Sequence, residues 1–194
     1  MTLEKDAVAM SGRSAFLEGA LVSLRPLELS DLNDRYLQWL NDPEVTRYLE
    51  TGVFPTTRQD LERFYAAVMS SSNNVMLAII ERRSGTHVGN LKLGPINWID
   101  RRTLFGILIG EKDFWGKGIG EESTRLAVGY AFEKLNLNRV GLAVFEEHTS
   151  AIRCYEKVGF KVEGCFREEM FREGRYRNRL WMGCLRSDYR GKVK

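Results

Sequence analysis

Histidine, cysteine and proline are scarce in this 194-residue sequence, and the first two shortages close off whole classes of function. His87 and His148 are the only imidazoles and lie far apart, which argues against a metal site. Cys154, Cys165 and Cys184 are odd in number and lack CxxC spacing. They suit neither a disulfide framework nor a zinc site, and they point to a reduced, cytoplasmic chain. Long apolar runs are missing too. Nothing approaches the ~18 residues of a membrane span, and Ala7-Val8-Ala9-Met10 is too short for a signal-peptide core. No membrane partner is expected. Residues 1–18 read as a flexible tail ahead of one domain over 19–190. A net charge of +3 is too small to imply nucleic acid.

The charge is nevertheless uneven. From Arg153 onward there are 12 Lys/Arg against 6 Asp/Glu, so the C-terminal part is basic and suits an anionic ligand. With 43% hydrophobic and 28% charged residues the chain has an ordinary globular composition.

The informative stretch runs from Leu104 to Lys134. Leu104-Phe105-Gly106-Ile107-Leu108-Ile109 is nearly continuous in apolar residues, the pattern of a strand covered on both faces. Trp115-Gly116-Lys117-Gly118-Ile119-Gly120 follows, with glycine at every second position. A helix then places Ile119, Ser123, Leu126, Ala127, Tyr130, Ala131 and Lys134 on one face. Glycines let a ligand reach the backbone, and the first N–H groups of a helix lack partners, so this turn is a candidate anion site. The spacing is not that of a P-loop, since Glu111 and Gly118 stand where Gly and Ser/Thr are needed. Nor is it a Gly-x-Gly-x-x-Gly dinucleotide fingerprint. A tight turn with no ligand is the alternative.

Leu21–Leu24 reads as a first strand, stopped by Pro26. Ser30 is the expected cap of a helix through Leu40, with Leu32, Tyr36, Trp39 and Leu40 on its inner face. A short helical turn over Glu44–Leu49 follows. Thr57 and Asp60 form a capping box for a helix burying Leu61, Phe64, Tyr65 and Val68. Strands are expected over Val75–Arg82, Val88–Leu93, Arg139–Phe145, Phe160–Glu163 and Arg177–Leu185. Ser84-Gly85 and Glu173-Gly174 mark turns, and a short helix over Ala151–Val158 is closed by Gly159. The sum is an α+β domain around a mixed, mainly antiparallel sheet.

Two motifs in order carry a resemblance. Trp115–Gly120 is similar to the pyrophosphate loop of the GNAT superfamily of acetyl-CoA-dependent N-acetyltransferases. Ala151-Ile152-Arg153-Cys154-Tyr155-Glu156-Lys157-Val158-Gly159-Phe160 resembles that family's second hallmark. Trp39-Leu40-Asn41-Asp42-Pro43-Glu44-Val45 looks like a signature of the branch containing the ribosomal-protein N-terminal acetyltransferases. The resemblance covers about residues 20–190.

It implies acetyl-CoA as donor co-substrate and a primary amine as acceptor, either a protein N-terminus or a small amine. It places the cofactor against Ile107, Leu108 and Ile109, on the loop from Trp115, Gly116, Lys117, Gly118, Ile119 and Gly120 to Glu121, and near His148. The pantetheine arm would pair with backbone groups of Ile107 and Ile109 between two splayed strands. Glu121 and Glu122 should face away from the phosphates. Tyr155 matches the general acid that protonates the departing thiolate. Monomer and homodimer are both compatible with the family.

The sequence also departs from the family. His148 replaces the usual Asn, the segment Leu142-Ala143-Val144 has no carboxylate, and Leu104 stands where many relatives carry Glu. His148, Glu147 and Glu111 remain candidate bases, beside a water chain to solvent. Cys154 offers a covalent route but has no histidine near it in sequence. His87–Ile96 resembles amino-sugar (sugar-nucleotide) acetyltransferases, and a non-catalytic acyl-CoA sensor is a further alternative. Relatives often have Asp where Asn178 stands. Arg167, Arg172, Arg175, Arg177 and Arg179 would then suit an anion-bearing acceptor, unless they form ion pairs with Glu168, Glu169 and Glu173.

Overall fold

A computed structural model describes residues 15–190. The elements in chain order are β1 (Leu17–Glu18), β2 (Val22–Pro26), α1 (Asp34–Asn41), α2 (Pro43–Thr46), α3 (Arg58–Met69), β3 (Val75–Glu81), β4 (His87–Leu93) and β5 (Arg102–Ile109). Then come α4 (Ile119–Glu133), β6 (Arg139–Phe145), α5 (Thr149–Val158), β7 (Lys161–Arg172) and β8 (Arg175–Leu185). One eight-stranded sheet has the order β1-β2-β3-β4-β5-β6-β8-β7. Only the β5–β6 pair is parallel. This is the expected mixed α+β architecture.

Two apolar clusters cover the two faces of the sheet. Val22, Leu91, Phe105, Val140, Leu142 and Met182 pack on the face of α4 and α5. Tyr36, Trp39, Leu61, Val68, Met76 and Ala78 pack on the other, under α1 and α3. The α4 stripe is wider than expected: Val128 and Phe132 are fully buried along with Ala127 and Ala131. On α3 the capping box of Thr57 and Asp60 forms as expected, but Phe64 points to solvent.

Several boundaries shift for identifiable reasons. Ser30 does not cap α1, because residues 29–31 form a 3-10 turn. There the Asp31 carboxylate grips Arg25 at 2.6 and 2.7 Å and accepts the Glu28 N–H at 2.8 Å. The helix starts only at Asn33, whose Oδ1 accepts the Tyr36 N–H. Within the expected tail over 1–18, residues 1–14 lie outside the described residues. Leu17 and Glu18, however, pair with Leu24 and Ser23 as an edge strand. Strand β7 runs well past Glu163, to Arg172, and forms a long hairpin with β8 that is bulged between Phe166 and Met170.

The central strand is the main correction. β5 pairs with β6 only at Arg102↔Arg139, Thr103↔Val140 and Leu104↔Gly141, and the two strands then part. Beyond Leu104 only Phe105 is fully covered; Gly106 is exposed, and Ile107 to Ile109 are half-buried. The strand does pack on both faces, with Phe105, Ile107 and Ile109 on one and Leu108 on the other, but one of its edges is open.

Candidate active site

Parting of two parallel strands leaves backbone hydrogen-bonding groups that something must satisfy. The carbonyl of Leu104 accepts the Gly94 N–H, and the Gly110 N–H donates to Val88, so even-numbered residues of β5 turn to β4. Alternation turns the main-chain groups of Phe105, Ile107 and Ile109 to the open edge. The main-chain groups of Ile107 and Ile109 therefore lie on the open edge, whereas the backbone of Leu108 pairs with Asn90 and its side chain packs in the α1–α3 cluster.

The glycine-rich turn lies where this open edge ends. Gly116 (φ 72) and Gly118 (φ 81) adopt left-handed backbone, which costs a residue with a Cβ about 1–2 kcal/mol. Gly118 is the N-cap of α4 and has no side-chain cap, and the first bond into the helix runs from the Glu122 N–H to the Gly118 carbonyl. The N–H groups of Ile119, Gly120 and Glu121 precede that bond and are left for a ligand. A Cβ at Gly116 or Gly120 would meet nothing within 4 Å, so the space in front of the loop is open. The two carboxylates of the first turn face away. Glu121 pairs with Arg125 (3.0 Å) and Lys157 (2.9 Å). Glu122 accepts the N–H groups of Ala20, Leu21 and Val22 at 2.7–2.8 Å. The Lys117 ammonium lies over the Phe114 ring, 5.4 Å from its centroid.

Two contacts tie this loop to the rest of the fold. Trp115 Nε1 donates to the Ile109 carbonyl at 2.8 Å, which occupies that open-edge acceptor. On the other side, Trp39 Nε1 donates to Glu111 Oε1 at 3.1 Å, and its ring lies where a Cβ at Gly110 would be. Asp42 and Glu44 hold Lys112 at 2.9 and 2.8 Å. The Trp39–Val45 signature is therefore a clamp on the segment between β5 and the glycine loop. Nothing in the signature's residues alone points to that task.

Tyr155 stands at the fork of the strands. Its ring meets Phe105 edge-on at 6.3 Å and Phe160 at 5.8 Å. Its hydroxyl has no hydrogen-bond partner among the described residues. Burial pushes the phenol well above its usual range, and the neighbouring Cys154 adds to this, so the group is a proton donor at neutral pH. Cys154 itself is pushed up to about 11, first by burial and then by Glu121. A thiol held protonated is a poor nucleophile.

The candidate bases are differently placed. Glu147 is held by Arg177, which keeps its carboxyl below the usual range, and Arg175 lies 3.5 Å away. Glu111 is engaged by Trp39 and, at 3.4 Å, by Arg35. His148 precedes α5 as its N-cap residue. Its ring stacks on Tyr48 at 4.3 Å, and burial lowers its pKa, so it is neutral at pH 7.

The hairpin arginines are largely spoken for. Arg177, whose side chain is only 5% exposed, pairs with Glu147 and with Glu173 at 2.7 Å. Arg179 pairs with Glu50 and with Glu169 at 2.6 Å, and Arg172 donates to the carbonyls of Leu49 and Glu50. Together they dock the segment after α2 onto the hairpin. The Asn178 amide accepts the Glu168 N–H at 2.9 Å and donates to Glu146 at 2.8 Å, two roles that an Asp could not combine. Among the described residues no three His, Cys, Asp or Glu side chains could hold a metal, and no helix is long and apolar enough to cross a membrane.

Comparisons with known proteins agree with this geometry. A family model described as acetyltransferase (GNAT) domain matches residues 22–161. The spermidine N(1)-acetyltransferase of Escherichia coli (strain K12) is 33% identical over 169 residues, 87% of this chain and 88% of its own length. The putative ribosomal N-acetyltransferase YdaF of Bacillus subtilis (strain 168) is 32% identical over a shorter stretch, 55% of this chain and 58% of its own. Among solved structures, the spermidine N-acetyltransferase from Vibrio cholerae in complex with CoA and spermine superposes with a TM-score of 0.80. It is 29% identical over 88% of this chain and 99% of that one.

Proposed function

The chain belongs to the GNAT acetyltransferase family and is an acetyl-CoA-dependent N-acetyltransferase, and on that footing we propose that it acetylates the primary amine of a small molecule by direct attack within a ternary complex. The observation that carries this is the fork of β5 and β6, with an open strand edge, the helix N-terminus and the Tyr155 hydroxyl arranged around it. A small amine is preferred to a protein N-terminus because the spermidine acetyltransferases match over much more of the chain than the ribosomal relative does.

In this reading the N–H groups of Lys117 to Glu121 hold the CoA pyrophosphate, aided by the dipole of α4. The pantetheine arm lies along the open edge of β5 as a short extra strand, beside Ile107 and Ile109. A neutral amine attacks the thioester carbonyl carbon, and a β5 N–H stabilises the oxyanion that forms. Collapse of that intermediate breaks the carbon–sulfur bond, and Tyr155 gives its proton to the departing thiolate. The nitrogen loses one proton to water, which returns the tyrosine to its starting state through solvent. Glu147 and Glu111 are tied to other groups, and no protein base is assigned.

Initial-velocity kinetics test this mechanism, with thiol release followed at varied acetyl-CoA and spermidine. Intersecting double-reciprocal lines are expected for a ternary complex. Parallel lines, with an acetylated enzyme detectable by mass spectrometry, would establish a covalent route instead.

A further inference from the structure

One charge on the acceptor side of the sheet has no answer. In β4, Lys92 lies opposite Met76 on one neighbouring strand and opposite Gly106 on the other. Met76 is buried in the α1–α3 cluster, so Lys92 and Gly106 share that face, away from α4 and Tyr155. Gly106 comes two residues after the last β5–β6 pair, at the throat of the fork. A Cβ there would meet nothing within 4 Å. Directly opposite residues in a sheet have Cβ positions about 5 Å apart, which puts the base of the Lys92 side chain at the mouth of that opening.

Lys92 is half-buried and makes no hydrogen bond or ion pair among the described residues. On the hairpin side Glu50, Glu147, Glu169 and Glu173 each face an arginine, and Glu146 is bonded to the Asn178 amide. Leu104, on the same face as Gly106, brings no charge. An ammonium with no carboxylate partner repels a polycation and attracts an oxyanion.

We infer that Lys92 selects the acceptor: a small primary amine that also carries a carboxylate or phosphate, in place of the polyamines named with the relatives. The ammonium holds the oxyanion on the acceptor face while the amine reaches through the fork to the thioester. This deepens the acetyl-transfer reading above and rests on it.

The test compares kcat/KM for glucosamine, glucosamine 6-phosphate, UDP-glucosamine, glutamate and spermidine in the wild type, Lys92→Met and Lys92→Arg. Acetyl-CoA affinity by calorimetry serves as the check on folding. The wild type should prefer at least one oxyanion-bearing amine to spermidine. Lys92→Met should lower kcat/KM for that amine by about 10- to 100-fold, the worth of a hydrogen bond to a charged group, and should leave glucosamine within about twofold. Lys92→Arg should retain most of the preference. The phosphate and glutamate arms tell which oxyanion is held. A wild-type preference for spermidine, or equal losses on glucosamine and the anionic amines, overturns the role of Lys92 and leaves acetyl transfer standing. Absence of thiol release with every amine, spermidine included, overturns the acetyl-transfer reading itself.

Discussion

The Trp115 indole N–H and the Ile109 carbonyl meet at 2.8 Å, and this single bond joins the glycine loop to the open edge of the central strand. It holds the two halves of the proposed cofactor site, one made of helix N–H groups and one of strand edge, in fixed relation. Trp115→Phe keeps much of the ring and loses the donor. The acetyl-CoA KM should rise by about 5- to 10-fold, equivalent to ~1 kcal/mol for one neutral hydrogen bond, with kcat little changed. A KM unchanged within twofold would show that the loop keeps its place without the bond.

In the proposed mechanism Tyr155 acts only as the thiolate leaves, so its hydroxyl should matter to turnover and not to binding. Tyr155→Phe is expected to lower kcat by about 10²-fold with acetyl-CoA affinity unchanged. The sign of the pKa shift adds a second expectation. Burial raises the phenol above its usual value near ~10, so the acid form persists through pH 9 and is lost only at higher pH. A wild-type kcat that falls below pH 9 and is restored by no change of buffer would remove Tyr155 from the role.

Cys154 is beside Tyr155, yet its thiol, pushed up to about 11, is almost wholly protonated at pH 7.5. Cys154→Ala should therefore retain kcat within about threefold, the small loss reflecting packing. Loss of turnover with normal acetyl-CoA binding would reopen the covalent route.

Much of this site was legible in the chain because its signals are local. Glycine at every second position from Gly116, followed by a helical stripe, needs no tertiary information, and the left-handed Gly159 closing α5 is equally local. Ile107 and Ile109 came from the family resemblance, and the bonds of Leu104 and Gly110 to β4 put their main-chain groups on the open edge. Partner choice was not legible. An apolar run such as Leu104–Ile109 looks the same whether β6 follows it or diverges after three residues, because divergence is set by the neighbouring strand. For the hairpin arginines the chain leaves an anion site and ion pairs within the hairpin both open, and it gives no sign that Glu50, far away in sequence, stands against Arg179. The face that Lys92 occupies depends on its register with Met76 and Gly106, which the chain alone does not fix.

The Asn178 amide bridges the β7 bulge and Glu146 in a way that a carboxylate could not. Asn178→Asp would keep the bond from the Glu168 N–H and set two carboxylates against each other at Glu146. The variant should lose about 1–2 kcal/mol, a fall in Tm of roughly 2–8 °C. Wild-type stability in the variant would mean that the bulge in β7 holds without the bridging amide.

Acetyl-CoA affinity of Gly120→Asp tests the central claim most directly. Gly120 lies inside α4 with ordinary helical backbone, and a Cβ there meets nothing, so the substitution leaves the fold unstrained. The new carboxylate would stand in front of the N–H groups assigned to the pyrophosphate. Calorimetry should show Kd for acetyl-CoA raised by at least about 100-fold, as expected when a like charge replaces open space at an anion site, with Tm within a few degrees of wild type. Unchanged affinity in a folded Gly120→Asp protein would contradict the assignment of this loop to the cofactor.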